Sequence, residues 1–350
     1  MGDKTKTDDS QFLTVKVAGG ATAQCIGLMN AIYLRNKIGK PFKIKYFPYS
    51  TGTYWPFAIK FLLKDEELLD DKIDTRGLKD VENLQVGKII RNHPLTSKKF
   101  SYEKILSIIR KMGLERFLQR IRGEHAIIAS VKNLDKVNKR AKAVSGGFVP
   151  IFDKDVNLEM DERFKSRGLP SPFSLSREEK LRPDVVIHYR IGDKRTKFTI
   201  HQDFGGDGIV DPQSFKNIIN EQAVGATERV VVVSDEPLVA QKLLAGVGIH
   251  AELNPIIGNL WSDLKLMSEA RLLIGSWSQV SQLAMICVAG NGGRSYHPST
   301  TQVGTKISWT LPNSNFYECT FLTQEHWIYS ADFHLDSSSH KSYKTLDELT

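Results

Sequence analysis

The chain has 350 residues, of which 41% are hydrophobic and 25% are charged, and this composition excludes a largely disordered or fibrous protein. Its length favours two domains that each bury a core. The formal net charge of +8 and the pI near 9.2 favour phosphate-rich ligands, nucleic acid or anionic membranes as partners, without choosing among them.

The three cysteines, Cys25, Cys287 and Cys319, are an odd number at wide spacings. They predict neither a disulfide framework nor a zinc site, so we expect a reducing compartment. Residues 1–10 are polar and charged, and no run approaches the roughly 20 apolar residues of a membrane-spanning helix. We therefore expect a cytoplasmic protein whose contact with the inner membrane, if any, is peripheral.

The N-terminal region begins with a strand, a turn and a helix. Residues 12–17 predict a strand, Gly19 and Gly20 a tight turn, and residues 24–37 an amphipathic helix, followed by a second strand at 42–47. This order is a βα unit of the Rossmann kind, in which the glycines have a structural explanation as well as a functional one, because glycine readily adopts positive φ.

Residues 102–122 predict a basic amphipathic helix, because isoleucine, leucine, methionine and phenylalanine recur at helical spacing among six arginines and lysines. One interpretation is a solvated outer face over a domain core. The other is docking on anionic lipid, which would give access to a lipid-linked acceptor.

A stretch rich in proline and serine, residues 168–176, predicts a linker between two domains. We accordingly expect an acceptor-side domain at 1–175, a donor-binding domain at 176–325 and a C-terminal tail at 326–350.

The C-terminal half alternates strands with helices. Residues 184–190, 229–234 and 272–274 are continuous apolar runs rich in β-branched residues, as in a buried parallel sheet. Helices predicted at 212–221 and 237–244 separate them. This pattern predicts a doubly wound α/β domain.

Ligands of such a sheet bind where the strands end, and three strand ends carry polar groups. His188 to Lys194 supplies ionisable side chains, and Arg190 among them could grip a diphosphate oxygen with its bidentate fork. Ser234 to Pro237 supplies two carboxylates able to accept from guanine. Gly275 to Ser281 opens a helix with hydroxyls, as at anion sites. A strand-end histidine and an Asp-Glu-Pro helix start also have purely structural explanations.

These residues resemble motifs of the donor domain of the fucosyltransferase superfamily, over residues 184–289. His188–Asp193 is similar to the signature His-x-Arg-Arg-(Gly/Thr)-Asp, Ser234–Pro237 to Thr-Asp-Asp-Pro, and Trp277–Val280 to Ser-Ser-Gln-Val. Residues 263–270 are similar to the helix that precedes the last motif. More loosely, Gly19–Gln24 is similar to Gly-Gly-Leu-Gly-Asn-Gln.

The resemblance implies a GT-B fold, with two Rossmann-like domains facing across a cleft, and an inverting, metal-independent transfer of fucose from GDP-fucose to a saccharide acceptor. No cofactor other than this GDP-sugar co-substrate is expected, and no nucleic acid. The residues expected to bind the donor are His188, Arg190, Lys194, Asp235, Glu236, Ser276, Ser278, Gln279, Ser281, Gly19, Gly20 and Gln24. Those expected to act in catalysis are Arg190, Asp193, His201 and Asp203, the last two as candidate bases.

One departure from the signature is Ile191, which stands where the family has a second arginine. Lys194 or a neighbouring cation would have to compensate, or the donor is a different nucleotide sugar. A non-catalytic nucleotide-sugar-binding protein also fits the motifs. A Rossmann oxidoreductase does not, because Gly-x-Gly-x-x-Gly is missing.

Overall fold

The structure, a computed structural model, describes residues 11–17, 19–46, 57–69, 125–127, 134–145, 150–192, 194, 208–225, 227–254, 259–299 and 311–322. The predicted catalytic residues Asp193, His201 and Asp203, the predicted helix 102–122 and the predicted tail 326–350 lie outside them. Within the described ranges, no helix is long and apolar enough to cross a membrane. The chain divides into two compact units, Met1–Ile151 and Phe152–Thr350.

The first unit contains a four-stranded parallel sheet in the order β2-β1-β4-β3. Its elements are β1 (Leu13–Val17), α1 (Ala21–Ile38), β2 (Phe42–Tyr46), short 3-10 turns at Lys60–Leu62 and Asp65–Glu67, β3 (His125–Ile127) and β4 (Ala143–Ser145). Helix α1 starts earlier than predicted, directly after Gly20, and ends at Gly39, whose φ of 67° is the left-handed conformation that glycine tolerates.

The second unit contains a six-stranded parallel sheet in the order β10-β9-β8-β5-β6-β7. Its elements are α2 (Lys154–Ser166), a 3-10 turn (Glu179–Leu181), β5 (Val185–Tyr189), α3 (Pro212–Glu221), β6 (Val230–Ser234), α4 (Pro237–Gly246), β7 (Glu252–Leu253), α5 (Leu260–Ser268), β8 (Leu272–Ile274), α6 (Gln279–Gly290), β9 (Arg294–Ser299) and β10 (Ser314–Glu318). The predicted α/β class with a parallel sheet in each unit is confirmed. How the two domains face each other stays a prediction.

The central strand β5 is buried along its whole length. Ile187 and Tyr189 point into a core shared with Phe215 of α3, whose ring meets that of Tyr189 edge-on at 4.9 Å. Because strand residues alternate in direction, His188 points to the opposite face of the sheet. The apolar pattern of β5 thus places one histidine among residues that are otherwise core.

The predicted boundary after residue 175 lies inside the second unit. Phe164 of α2 packs on Phe173 and on Trp261 of α5, with ring centroids 6.0 and 5.2 Å apart, so the segment before residue 175 belongs to the C-terminal core. The sequence-based boundary followed local proline and serine content, whereas these long-range aromatic contacts bring α2 into the second unit.

Glu269 fastens the predicted linker to the second unit. Its Oε1 accepts hydrogen bonds from the backbone N–H and the hydroxyl of Ser176, at 3.0 and 2.6 Å, and its carboxylate pairs with Arg177 and Lys265 at 3.0 and 3.1 Å. Burial raises the pKa of Glu269, but the hydrogen bonds from Ser176 and the charge of Lys265 outweigh burial, so the net pKa lies below its ordinary value.

We predict that Glu269→Gln lowers the free energy of unfolding at pH 7 by about 3 kcal/mol, because it leaves a buried cation without its partner. A depressed carboxyl pKa stabilises the fold above the unfolded pKa of about 4.3 and loses that effect as pH falls through the folded value. Urea unfolding should therefore show the gap between wild type and variant shrinking from pH 7 to about pH 3.

Glu179→Gln is the matched control, because Glu179 pairs with Arg182 at 3.6 Å while its side chain is 75% exposed. That change should stay within about 0.5 kcal/mol of wild type. A gap for Glu269→Gln that is as small as this, or that does not change with pH, would contradict the anchoring role.

Candidate functional site

Three strands of the second sheet end side by side at its carboxyl edge. In the register of the sheet, Tyr189 of β5 lies opposite Ser234 of β6, and Ile187 of β5 lies opposite Ile274 of β8. The polar segments that follow these strands are therefore neighbours, as the sequence predicted. This edge is where ligands of doubly wound sheets bind.

Asp235 connects two of these segments. Its Oδ2 lies 3.1 Å from Nη1 of Arg190, and its Oδ1 accepts the backbone N–H of Ile191 at 2.9 Å. Asp235 is buried, whereas the Arg190 side chain is 20% exposed. The ion pair thus fixes one edge of a guanidinium that still reaches the surface. Because both carboxylate oxygens bind protein groups, the structure favours a positioning role for Asp235 over the predicted contact with guanine.

Gly192 leaves room for the carboxylate of Asp235 beside the backbone that follows β5. A Cβ added there would lie 2.6 Å from Oδ2 of Asp235, closer than real Cβ contacts come. The glycine of the motif is therefore explained by packing against the carboxylate that holds Arg190.

Ser276 clamps the end of β8 to the end of β5. Its hydroxyl donates to the backbone carbonyl of His188 at 2.7 Å and accepts the backbone N–H of Arg190 at 2.8 Å. A serine has a single hydroxyl proton, and here it is already donated. The structure therefore gives Ser276 a positioning role, and its predicted contact with a ligand stays a prediction.

His188 is buried, and its Nδ1 lies 2.6 Å from the hydroxyl of Ser281 on α6. Burial, with the positive charges of Arg190 and His297, lowers the pKa of His188 to about 3. The imidazole is thus neutral at physiological pH. Ser281 is also fully buried, and its described hydrogen bond is the one to His188. The predicted contacts of both residues with a nucleotide stay predictions.

The N-terminus of α6 faces the same edge. Ser278 caps the helix by accepting the backbone N–H of Val280 at 3.1 Å, which does not use its own hydroxyl proton. Gln279 begins the helix and is half-buried. Free N–H groups and the dipole of this helix end favour an anion, so Ser278 and Gln279 have the geometry expected of phosphate ligands.

Glu236 and Lys194 are both buried near these segments. The backbone N–H of Glu236 donates to the Ser234 hydroxyl at 3.0 Å, and that of Lys194 to the Ile191 carbonyl at 3.0 Å. A Cβ at Gly192 would lie 3.8 Å from Oε1 of Glu236, so this carboxylate adjoins the Asp235–Arg190 pair. The predicted roles of Glu236 and Lys194 in binding stay predictions.

Two of the three predicted ligands of the first unit, Gly19 and Gly20, lie in the loop between β1 and α1, and the third, Gln24, lies in the first turn of α1. Gly19 adopts a φ of 81°, and Gly20 is the N-cap of α1. The side-chain amide of Gln24 donates to the Gly19 carbonyl at 2.7 Å and accepts the backbone N–H of Ala58 at 2.9 Å. Gln24 therefore ties two loops together, and its predicted contact with the donor stays a prediction.

Sequence reasoning missed His297 as a member of this edge. His297 lies within β9, next to the Tyr296 that pairs with the last residue of β8, is buried, and packs against the Trp277 ring with centroids 5.5 Å apart. Burial lowers the pKa of His297 to about 4, against a smaller opposing effect of its hydrogen bond to the Pro298 carbonyl. The available signal was a second histidine within a strand, but β9 itself was not predicted.

No protein-family profile and no curated protein matches the chain. Similar solved structures are fucosyltransferases. The NodZ alpha-1,6-fucosyltransferase soaked with GDP-fucose is 11% identical, with a TM-score of 0.38 over 79% of this chain and 92% of that chain. POFUT1 in complex with GDP-fucose is 13% identical, with a TM-score of 0.35 over 89% of this chain and 99% of that chain.

We predict that Gly192→Ala lowers the free energy of unfolding by about 1–3 kcal/mol, because its methyl group must displace Asp235 or shift the backbone. Gly246→Ala is the control, since a Cβ there meets nothing within 4 Å. Urea unfolding of both variants measures the difference. Equal stability of the two would contradict the close approach of Gly192 to Asp235.

Proposed function

We propose that the chain is a glycosyltransferase that transfers a sugar, most specifically fucose, from a GDP-linked donor to a saccharide acceptor. The observation that carries this proposal is the cluster at the carboxyl edge of the second sheet, where Asp235 orients Arg190 beside the N-terminus of α6. A cation and a helix N-terminus at one sheet edge form a site for a diphosphate.

The chemistry asked of such a site is stabilisation of a leaving group. In an inverting transfer, the acceptor oxygen forms a bond to the anomeric carbon while the bond from that carbon to the diphosphate oxygen breaks. Negative charge grows on the diphosphate, and the acceptor hydroxyl gives its proton to a general base. Arg190 and the helix N-terminus would stabilise that charge, and His201 and Asp203 stay the candidate bases.

The neutral state of His188 agrees with this assignment. A histidine whose pKa lies near 3 does not exchange protons at physiological pH, so it is unsuited to act as the general base. A neutral imidazole can instead donate and accept hydrogen bonds with a nucleoside. We therefore assign His188 to recognition of the base or ribose.

The test is thermal stabilisation by GDP, UDP, CMP and NAD, since a ligand that binds only the folded state raises the melting temperature. We expect a selective response to GDP. Arg190→Ala should weaken GDP binding by about 30- to 1,000-fold, the loss expected for a charge-assisted contact of about 2–4 kcal/mol. Arg229→Ala is the control, because Arg229 pairs with Glu252 on the edge strand β7 at 2.8 Å.

Each outcome selects one interpretation. A response to UDP or CMP would replace the GDP-linked donor, and a response to NAD, or none to any nucleotide, would overturn the proposal. Release of GDP from GDP-fucose in the presence of saccharide acceptors separates a transferase from a protein that only binds the donor.

A further inference from the structure

The amino edge of the sheet in the first unit carries a cluster of basic side chains. It is formed by two segments, residues 35–40 at the end of α1 and residues 134–142 before β4. The basic patch consists of Lys37, Lys40, Lys136, Lys139, Arg140 and Lys142. Asp135 is the only acidic residue in these two segments.

Hydrogen bonds between the two segments show that the patch is continuous. The amino group of Lys37 lies 2.6 Å from the carbonyl oxygen and 3.1 Å from Oδ1 of Asp135, and that of Lys40 donates to the Ala141 carbonyl at 3.1 Å. The backbone N–H of Thr14, near the start of β1, donates to the Lys142 carbonyl at 2.9 Å. The patch therefore lies at the edge opposite the carboxyl ends of the strands.

The distribution of charge along the chain also places the excess of positive charge in the first unit. Residues 1–151 contain 28 Lys and Arg against 15 Asp and Glu, a net charge of +13, whereas residues 152–350 contain 20 against 25, a net charge of −5. In the part of the first unit that the structure describes, the count is 12 basic against 4 acidic. The positive charge of the protein is thus concentrated in one unit.

We propose that this basic patch docks the protein on an anionic phospholipid surface. Clusters of about four to eight lysines and arginines bind anionic headgroups through their summed charge. Five of the six are lysines, whose compact charge suits diffuse headgroups better than bidentate readout of a nucleic acid. Lys136, Lys139 and Arg140 are all exposed.

The rings beside the patch argue against nucleic acid. Phe42 is buried, and the ammonium of Lys37 lies over the Tyr33 ring, 5.8 Å from its centroid, so neither ring offers a fully open face on which single-stranded bases stack. Docking through the amino edge also leaves the carboxyl edge of this sheet open. The patch differs in sequence from residues 102–122 and does not depend on the proposed transferase activity.

The experiment is co-sedimentation of the full chain with vesicles of phosphatidylcholine containing about 30% phosphatidylglycerol, compared with phosphatidylcholine alone. We expect binding to the anionic vesicles only, weakening as salt rises from about 0.05 to 0.3 M because exposed charges are screened. The combined variant Lys136→Glu, Lys139→Glu and Arg140→Glu should lose at least about 100-fold in partitioning, since each basic residue contributes about fivefold.

The matched control reverses three exposed lysines of the second unit, Lys154→Glu, Lys180→Glu and Lys242→Glu, for the same change in net charge. It should keep binding, and circular dichroism melting should show both variants folded. Equal loss in both variants, equal binding to neutral vesicles, or binding that does not depend on salt would overturn the proposal. So would patch-dependent binding of a random-sequence DNA duplex that is tighter than binding to the vesicles.

Discussion

The carboxylate of Asp235 is the group on which the geometry of the candidate site depends. Burying an ionised carboxylate is costly unless it is paired and hydrogen-bonded, and Asp235 meets both conditions through Arg190 and the backbone of Ile191. These two bonds fix the segment that follows β5 and hold one edge of the Arg190 guanidinium at the end of the sheet. Gly192 is small because the carboxylate occupies the space that a side chain would need.

Two serine hydroxyl groups, from the segment after β8 and from α6, also hold the end of β5 in place. Ser276 bonds to the backbone on both sides of Tyr189, and Ser281 bonds to the buried ring of His188. Because these groups are already oriented, binding of a charged ligand requires no further free energy to reorganise them. Under the proposed function, the groups that would contact a diphosphate are then Arg190 and the N-terminus of α6. This division between positioning and contacting residues explains why so many polar side chains at one sheet edge are buried.

The two units differ in charge as well as in sequence. The second unit holds the proposed donor site within a net negative chain segment, so attraction of a nucleotide there depends on local cations and helix dipoles and not on overall charge. The first unit is strongly positive, and its described basic patch lies at the amino edge of its sheet. In the two proposals, overall charge thus accounts for docking on an anionic surface, while local geometry accounts for binding of the donor.

The sequence by itself determined the α/β class, the buried strands β5, β6 and β8, and the polar groups at their ends. The reason is that runs of β-branched residues, and the polar residues and glycines that follow them, are local patterns. It did not determine the strands β9 and β10, the place of α2 in the second unit, or the internal roles of Ser276, Asp235 and Gln24. Each of these depends on partners far away in the chain, such as Trp261 for α2 and Arg190 for Asp235. The sequence shows which hydrogen bonds a side chain is able to make, because these follow from its chemistry. Only the tertiary structure decides which partner lies within bonding distance of it.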